Sequence, residues 1–127
     1  MKRTLITACT LALGGLAGLP AWALDDDAAM VKLATSSGCL TCHHIDPGAS
    51  GPDGLPPIGP AWRDVAEKYR GKRGALDQLT NTVMAGSNPY ASHWKGKISG
   101  LAMPPNAVAI TPADANRLVR WILSLAP

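Results

Sequence analysis

The 127-residue sequence contains no phenylalanine, and its aromatic complement is four tryptophans and two tyrosines. A chain so poor in large apolar side chains builds only a thin core, because small domains bury a modest fraction of their surface. Cysteine is scarce too, at three residues, with no second Cys-x-x-Cys pair; this argues against a zinc site built from two such pairs. No basic tract interleaved with aromatics is present, so nucleic acid binding has no support. The longest apolar stretch, Leu5 to Leu19, is 15 residues, short of the roughly 20 that a membrane-spanning helix needs. Neither paired carboxylates nor a nucleophile with its base mark a substrate pocket, so no enzymatic activity and no small-molecule substrate are expected. No segment alternates as a strand does, and no internal repeat is visible.

What is present begins with a leader. Lys2 and Arg3, the apolar stretch, Pro20 and the triplet Ala21-Trp22-Ala23 together read as a secretory signal cleaved after Ala23. The alternative is an uncleaved anchor, against which the small-residue site and helix-breaking Pro20 both argue. Cys9 goes with the leader. Removing residues 1–23 leaves residues 24–127, a 104-residue single domain, not itself membrane-spanning. Two of the 12 Lys and Arg leave with the leader, so 10 face 9 Asp and Glu and the charge is nearly balanced.

The two remaining cysteines stand in Cys39-Leu40-Thr41-Cys42-His43. Positions i, i+3 and i+4 gather on one face within about one helical turn. Two thiols on one edge can add across the two vinyl groups of a porphyrin while the neighbouring imidazole meets its iron. The run therefore reads as a c-type haem attachment site. A thioredoxin-like redox pair is the competing reading, but it needs a strand before it and a βαβ setting. An exported protein with two cysteines ordinarily forms a disulfide; the haem reading instead consumes both as thioethers.

Four helices are expected around this motif. Acidic residues Asp25 to Asp27 favour a helix start, and Met30, Leu33 and Ala34 form a stripe that ends near Gly38. Gly38 either stops that helix or lets another group approach its backbone. From Ile45 to Pro60 five prolines and four glycines make a long loop, placed to wrap one side of the cofactor. Ala61 to Tyr69 puts Trp62, Val65, Ala66 and Tyr69 on one face, with Lys68, Arg70, Lys72 and Arg73 clustered at its end. That cluster is either a solvated face or a docking patch. A third helix runs from Ala75 to Ala85 with Leu76, Leu79 and Val83 inward and Gly86 as its stop. The last begins at Thr111 as N-cap with Pro112 behind it, and carries Ala115, Leu118, Val119, Ile122 and Leu125.

Between the third and fourth helices lies a second irregular stretch, Ser87 to Ala107, holding Met103-Pro104-Pro105-Asn106. Met103 is the best candidate for the second axial ligand opposite His43. It is far along the chain, and two prolines stiffen the backbone behind it. A thioether favours reduced iron and raises the potential. His93 is the competing ligand. Met30 and Met84 sit at helical spacing as core or rim, and His44 is expected in solvent. With both axial positions filled, outer-sphere electron transfer by an iron cycling between Fe(II) and Fe(III) is what remains.

Cys39 to His43, Gly59-Pro60-Ala61-Trp62 and Met103 to Asn106, taken in register, resemble the small bacterial class I cytochromes c, single-haem periplasmic electron carriers. The resemblance spans residues 28–126. It implies an all-α fold of four to five short helices and long loops around one covalent haem c. It further implies thioethers at Cys39 and Cys42, iron ligation by His43 and Met103, and a Pro60 carbonyl that accepts from the other nitrogen of His43. Trp94 resembles the tryptophan that contacts a haem propionate, although the spacing from Trp94 to Met103 exceeds that of the shortest members. Trp121 resembles the aromatic that packs near the crossing with the first helix by Gly38. Periplasmic or membrane-bound redox enzymes are the implied donor and acceptor. Two alternatives stand beside a mobile carrier: a dedicated haem subunit of a dehydrogenase, and a ligand-binding or sensor haem with a weak sixth ligand.

Overall fold

Asp26 opens the first helix, its carboxylate accepting the Ala28 amide at 3.3 Å, which satisfies one of the amides a helix start leaves free. The computed structural model describes residues 26–125; the expected leader, with Cys9 and Asp25, lies outside them. Four α-helices follow in order among these residues: α1 Asp27–Ser36, α2 Trp62–Tyr69, α3 Ala75–Ala85 and α4 Pro112–Ser124. Single 3₁₀ turns stand at Cys39–Thr41, Pro52–Gly54 and Pro89–Ala91. One isolated bridge, Lys95 to Ile98, is the only β pairing in the described residues.

The last helix organises the packing. Thr111 caps α4 by accepting the Asp114 amide at 3.1 Å, while its hydroxyl donates to the Asp114 carboxylate at 2.8 Å. The face this start defines carries Ala115, Leu118, Val119, Trp121 and Ile122, all buried, and α4 packs on α1, α2 and α3. Met30 of α1 and Leu118 of α4 are the largest fully buried side chains. Leu125 departs from the expected stripe: it caps the helix with an extended backbone and is only partly buried against the core.

Trp121 replaces it, and it sits elsewhere than the resemblance implied. Its indole Nε1 donates to Asp27 at 2.7 Å, at the opposite end of α1 from Gly38. Its ring meets Trp62 edge-on, with centroids 5.7 Å apart, a favourable aromatic geometry. Nothing lies within 4 Å of a Cβ built at Gly38, whose φ is +73°. Gly38 therefore ends α1 through its left-handed backbone rather than by admitting a neighbour.

Two loops fill the rest. Residues 45–61 join the haem-motif turn to α2, and residues 86–111 join α3 to α4. They meet each other: the Ser99 amide donates to the Pro57 carbonyl at 2.9 Å and the Gly100 amide to Ile58 at 3.0 Å.

Candidate functional site

Cys39, Cys42 and His43 are brought together by one turn. The amides of Cys42 and His43 both donate to the Cys39 carbonyl, at 3.2 and 3.1 Å, so the spacing i, i+3, i+4 closes as a 3₁₀ turn with a single α-type bond rather than as an α-helix. Immediately after it the chain hands its carbonyls to α2. Trp62 donates to His44 at 2.8 Å and Arg63 to Ile45 at 3.1 Å. Ala61, at the cap of α2, has no side chain that could do this, and these contacts satisfy two of its free amides. The turn and α2 are thereby locked in register.

The His43 ring is held from two sides. Its Nδ1 lies 2.8 Å from the Pro60 carbonyl oxygen, and it stacks on Trp62 with centroids 5.9 Å apart. A carbonyl only accepts, so Nδ1 carries the hydrogen and Nε2 keeps its lone pair. Burial lowers the His43 pKa; the Pro60 bond opposes this and the neighbouring His44 adds to it. The ring is thus favoured in the neutral form that binds metals. Gly59 makes the fit possible: its amide donates to Cys42 at 2.7 Å, and a Cβ there would stand 2.7 Å from His43 Cε1. Burial raises the Cys39 thiol pKa, its own backbone contact lowers it, and Cys42 raises it further.

Met103 is positioned from α3. Gly86 ends that helix, and a Cβ there would lie 2.9 Å from the Met103 carbonyl. Ser87 then pairs with Met103 twice: its amide donates to the Met103 carbonyl at 2.9 Å and its Oγ accepts the Met103 amide at 2.8 Å. Pro104 and Pro105 have no N–H to offer. Asn106 supplies the missing donors, its amide bonding Val83 at 3.0 Å and its Nδ2 reaching Pro104 at 2.7 Å and Val83 at 3.3 Å.

These two assemblies border one cavity of about 380 Å³, within the range of cofactor sites. Cys39, Cys42, His43, Pro60 and Met103 all line it, and its walls are largely apolar, with Ile58, Leu79, Val83, Ile98, Leu118 and Ile122. Leu79 and Val83 are only half-buried because their inward face meets this cavity. A flat apolar macrocycle with two thioether tethers and an imidazole ligand fits this set: two thiols on one turn, one neutral imidazole with a free Nε2, a soft sulfur and an apolar surround.

The other candidates distribute around the rim. Trp94 lines the cavity and carries Lys68 Nζ 5.3 Å from its ring centroid, a cation–π distance. His93 also lines the cavity but is exposed, as is His44. Met30 is core, and Met84 packs partly buried against it. In the basic cluster Lys72 lies 5.1 Å over Tyr69, while Arg70 and Arg73 are exposed. Sequence reasoning missed Ser87, for which a partner 16 residues away leaves no local signal. It also placed Trp62 on the apolar face of its helix and in the Gly59-Pro60-Ala61-Trp62 motif, without its stack on His43. Asn106 did leave a trace, since an amide side chain beside two prolines can replace the donors they lack.

The cytochrome c family model matches residues 28–126. Cytochrome c-551 of Allochromatium vinosum is 42% identical over 93 residues, covering 73% of this chain and 82% of that protein. Cytochrome c-551 of Pseudomonas aeruginosa is 35% identical over 114 residues, covering 90% of this chain and 89% of that one. Among solved structures, Nitrosomonas europaea cytochrome c552 superposes with a TM-score of 0.57 at 32% identity, covering 76% of this chain and 99% of its own.

Proposed function

Since the chain belongs to the cytochrome c family, as one of its small bacterial class I members carrying one covalent haem c and transferring electrons, we propose that it is a periplasmic carrier with His43 and Met103 as iron ligands. Cys39 and Cys42 hold the thioethers in this reading, and residues 1–23 export the chain. The observation that carries it is the common cavity: His43 and Met103 both line it, each held by hydrogen bonds that leave its ligating atom free. Among the described residues no helix is long and apolar enough to cross a membrane.

Haem c supplies a one-electron Fe(II)/Fe(III) couple whose potential follows its axial ligands. The chain's own residues set the terms of that couple. Pro60 fixes the His43 tautomer and, by accepting its Nδ1 hydrogen, makes Nε2 a stronger donor. The Met103 thioether is soft and favours the reduced metal. Trp62, Val83, Leu118 and Ile122 keep water from the interior wall. Periplasmic or membrane-bound redox enzymes are the donor and acceptor in this reading, and Trp94, at the rim with Lys68 over its ring, would serve a carboxylate of the cofactor.

Spectra of both redox states test it. The oxidised protein should show the thioether-to-iron absorption band, and the reduced protein should not bind carbon monoxide readily. Met103→Ala should abolish the band, lower the potential by on the order of 0.1–0.3 V within the ~0.8 V that axial ligation spans, and keep the covalent haem. A band that survives in Met103→Ala would overturn the ligand assignment. Ready carbon monoxide binding by the unaltered protein would favour a sensor haem instead.

A further inference from the structure

After Trp94 the chain reverses at Gly96, whose φ is +81°, with the Lys97 amide donating to the Trp94 carbonyl at 2.9 Å. It then runs beside the end of the first long loop. Ser99 donates to Pro57 at 2.9 Å and Gly100 to Ile58 at 3.0 Å, pairing residues 42 apart in sequence. Gly100 is not among the glycines with positive φ, so conformation does not explain the missing side chain. Proximity does: a Cβ at Gly100 would stand 2.4 Å from the Ile58 carbonyl oxygen and 3.3 Å from its Cγ2. The first of these is a backbone atom, which no rotamer change can move aside.

The place of this contact matters. Ile58 directly precedes Gly59 and Pro60, whose backbone groups hold Cys42 and His43. Gly100 stands three residues before Met103, and three residues reach at most about 10 Å. The hydrogen bonds that Met103 and Asn106 themselves make to other elements go to the end of α3, at Ser87 and Val83. The pairing of 99–100 with 57–58 is therefore a short direct link between the segment that orients His43 and the segment that carries Met103.

We propose that Gly100 is a positioning residue for Met103: by allowing its loop segment to lie against Ile58, it sews the methionine loop to the histidine loop and sets where the sulfur is held. This rests on the reading of Met103 as an iron ligand. Gly100 also lines the cavity, but in this role it acts through its backbone pairing with Ile58.

The test uses the full haem-bearing protein and two variants, Gly100→Ala and Ser99→Ala. The thioether band, the reduction potential and the guanidinium dependence of the band are read for each. Gly100→Ala should lose half or more of the band in buffer, or lose it in guanidinium with at least about a tenfold weaker ligation equilibrium. Its potential should fall while the covalent haem remains. Ser99→Ala removes only a 3.5 Å hydroxyl contact and keeps both backbone bonds, so its band should match the unaltered protein. Because Gly100→Ala could fold poorly, amide exchange on the unaltered protein gives a second reading: the Gly100 amide should be protected and should open at the guanidinium concentration where the band disappears. A band and potential unchanged in Gly100→Ala, or a band lost while the Gly100 amide stays protected, would overturn the positioning role alone. Absence of the band from the unaltered protein would overturn the Met103 assignment, and the positioning role with it.

Discussion

On the His43 wall of the cavity, two consecutive segments make the site: a single turn presents Cys39, Cys42 and His43, and the next loop ends at Gly59 and Pro60, which grip that turn by its Cys42 carbonyl and its imidazole. On the facing wall, Met103 sits in a loop with no helix of its own. It is held by Ser87, by Asn106 on Val83 and by the pairing of Gly100 with Ile58. The first wall also stacks on a buried tryptophan, Trp62, which leans on Trp121. Apart from Gly59 and Trp62, the residues of both walls are only half-buried or exposed, so what separates them is the buried tryptophan pair behind the first. In the proposed reading the side that would carry the covalent tethers is backed by the stacked Trp62 and Trp121, and the side that would offer the sulfur rests on loop hydrogen bonds alone. Loops with few buried contacts open at lower free energy than cores, so the sulfur should be the first ligand to leave under stress.

The largest perturbation removes the two thiols proposed as tethers. Cys39→Ala/Cys42→Ala leaves a chain whose cavity of about 380 Å³ is lined by apolar residues with nothing to pack on. The core around Met30 and Leu118 is too small to compensate. We expect the double variant to lack a cooperative thermal transition by circular dichroism and to show little native helix. A native-like cooperative melt would mean that the two walls close without the cofactor, and the contrast between them would lose its basis.

Gly59→Ala probes the rigid wall with a smaller change. The added Cβ meets His43 Cε1 at 2.7 Å and the Cys42 carbonyl at 3.1 Å. The ring must tilt or the loop must retreat, and either movement stretches the 2.8 Å contact to Pro60. Overpacking of this kind costs about 1–3 kcal/mol, so the melting temperature of the haem-bearing variant should fall by several degrees. The thioether band should persist, because the atoms nearest the added Cβ all belong to Cys42 and His43, and not to the Ile58–Gly100 pairing or the Met103–Ser87 hydrogen bonds. A variant that melts normally but loses its band would invert the assignment of rigidity to this side.

The same contrast explains what was readable in advance. The spacing of Cys39, Cys42 and His43 is local, so a pentapeptide reveals it without any knowledge of the fold. Helices α2 and α4 were legible from period and capping, since Trp62, Val65, Ala66 and Tyr69 share one face of α2, and Ala115, Leu118, Val119 and Ile122 share one face of α4, which begins at its Thr111 cap. Met103 was legible only as a candidate, because a methionine before two prolines says that a sulfur is held somewhere and not where. Ser87, Ile58 and Gly100 were silent: each acts through a backbone or hydroxyl contact with a residue at least 16 positions away, and no periodicity encodes such a pairing. Trp121 was visible as an aromatic near α1 but was expected near Gly38. Its bond to Asp27 depends on how far α4 slides along α1, which local pattern does not determine.

The finest test of the contrast falls on the flexible wall. Ser87→Ala deletes the Oγ that accepts the Met103 amide at 2.8 Å, while the reciprocal bond from the Ser87 amide to the Met103 carbonyl at 2.9 Å survives. Met103 is half-buried, so water can partly replace the lost acceptor, and the net cost should be about 1 kcal/mol, the usual worth of one such hydrogen bond. That corresponds to roughly a fivefold weaker closure of the methionine loop. The band should therefore be present in buffer at nearly full amplitude and disappear at a lower guanidinium concentration than in the unaltered protein. The global melt, governed by the helical core and the tethered wall, should barely move. If the two transitions instead shifted together, the methionine loop would be part of the same cooperative unit as α1, α2 and α4, and the Met103 wall would be no weaker than the wall that faces it.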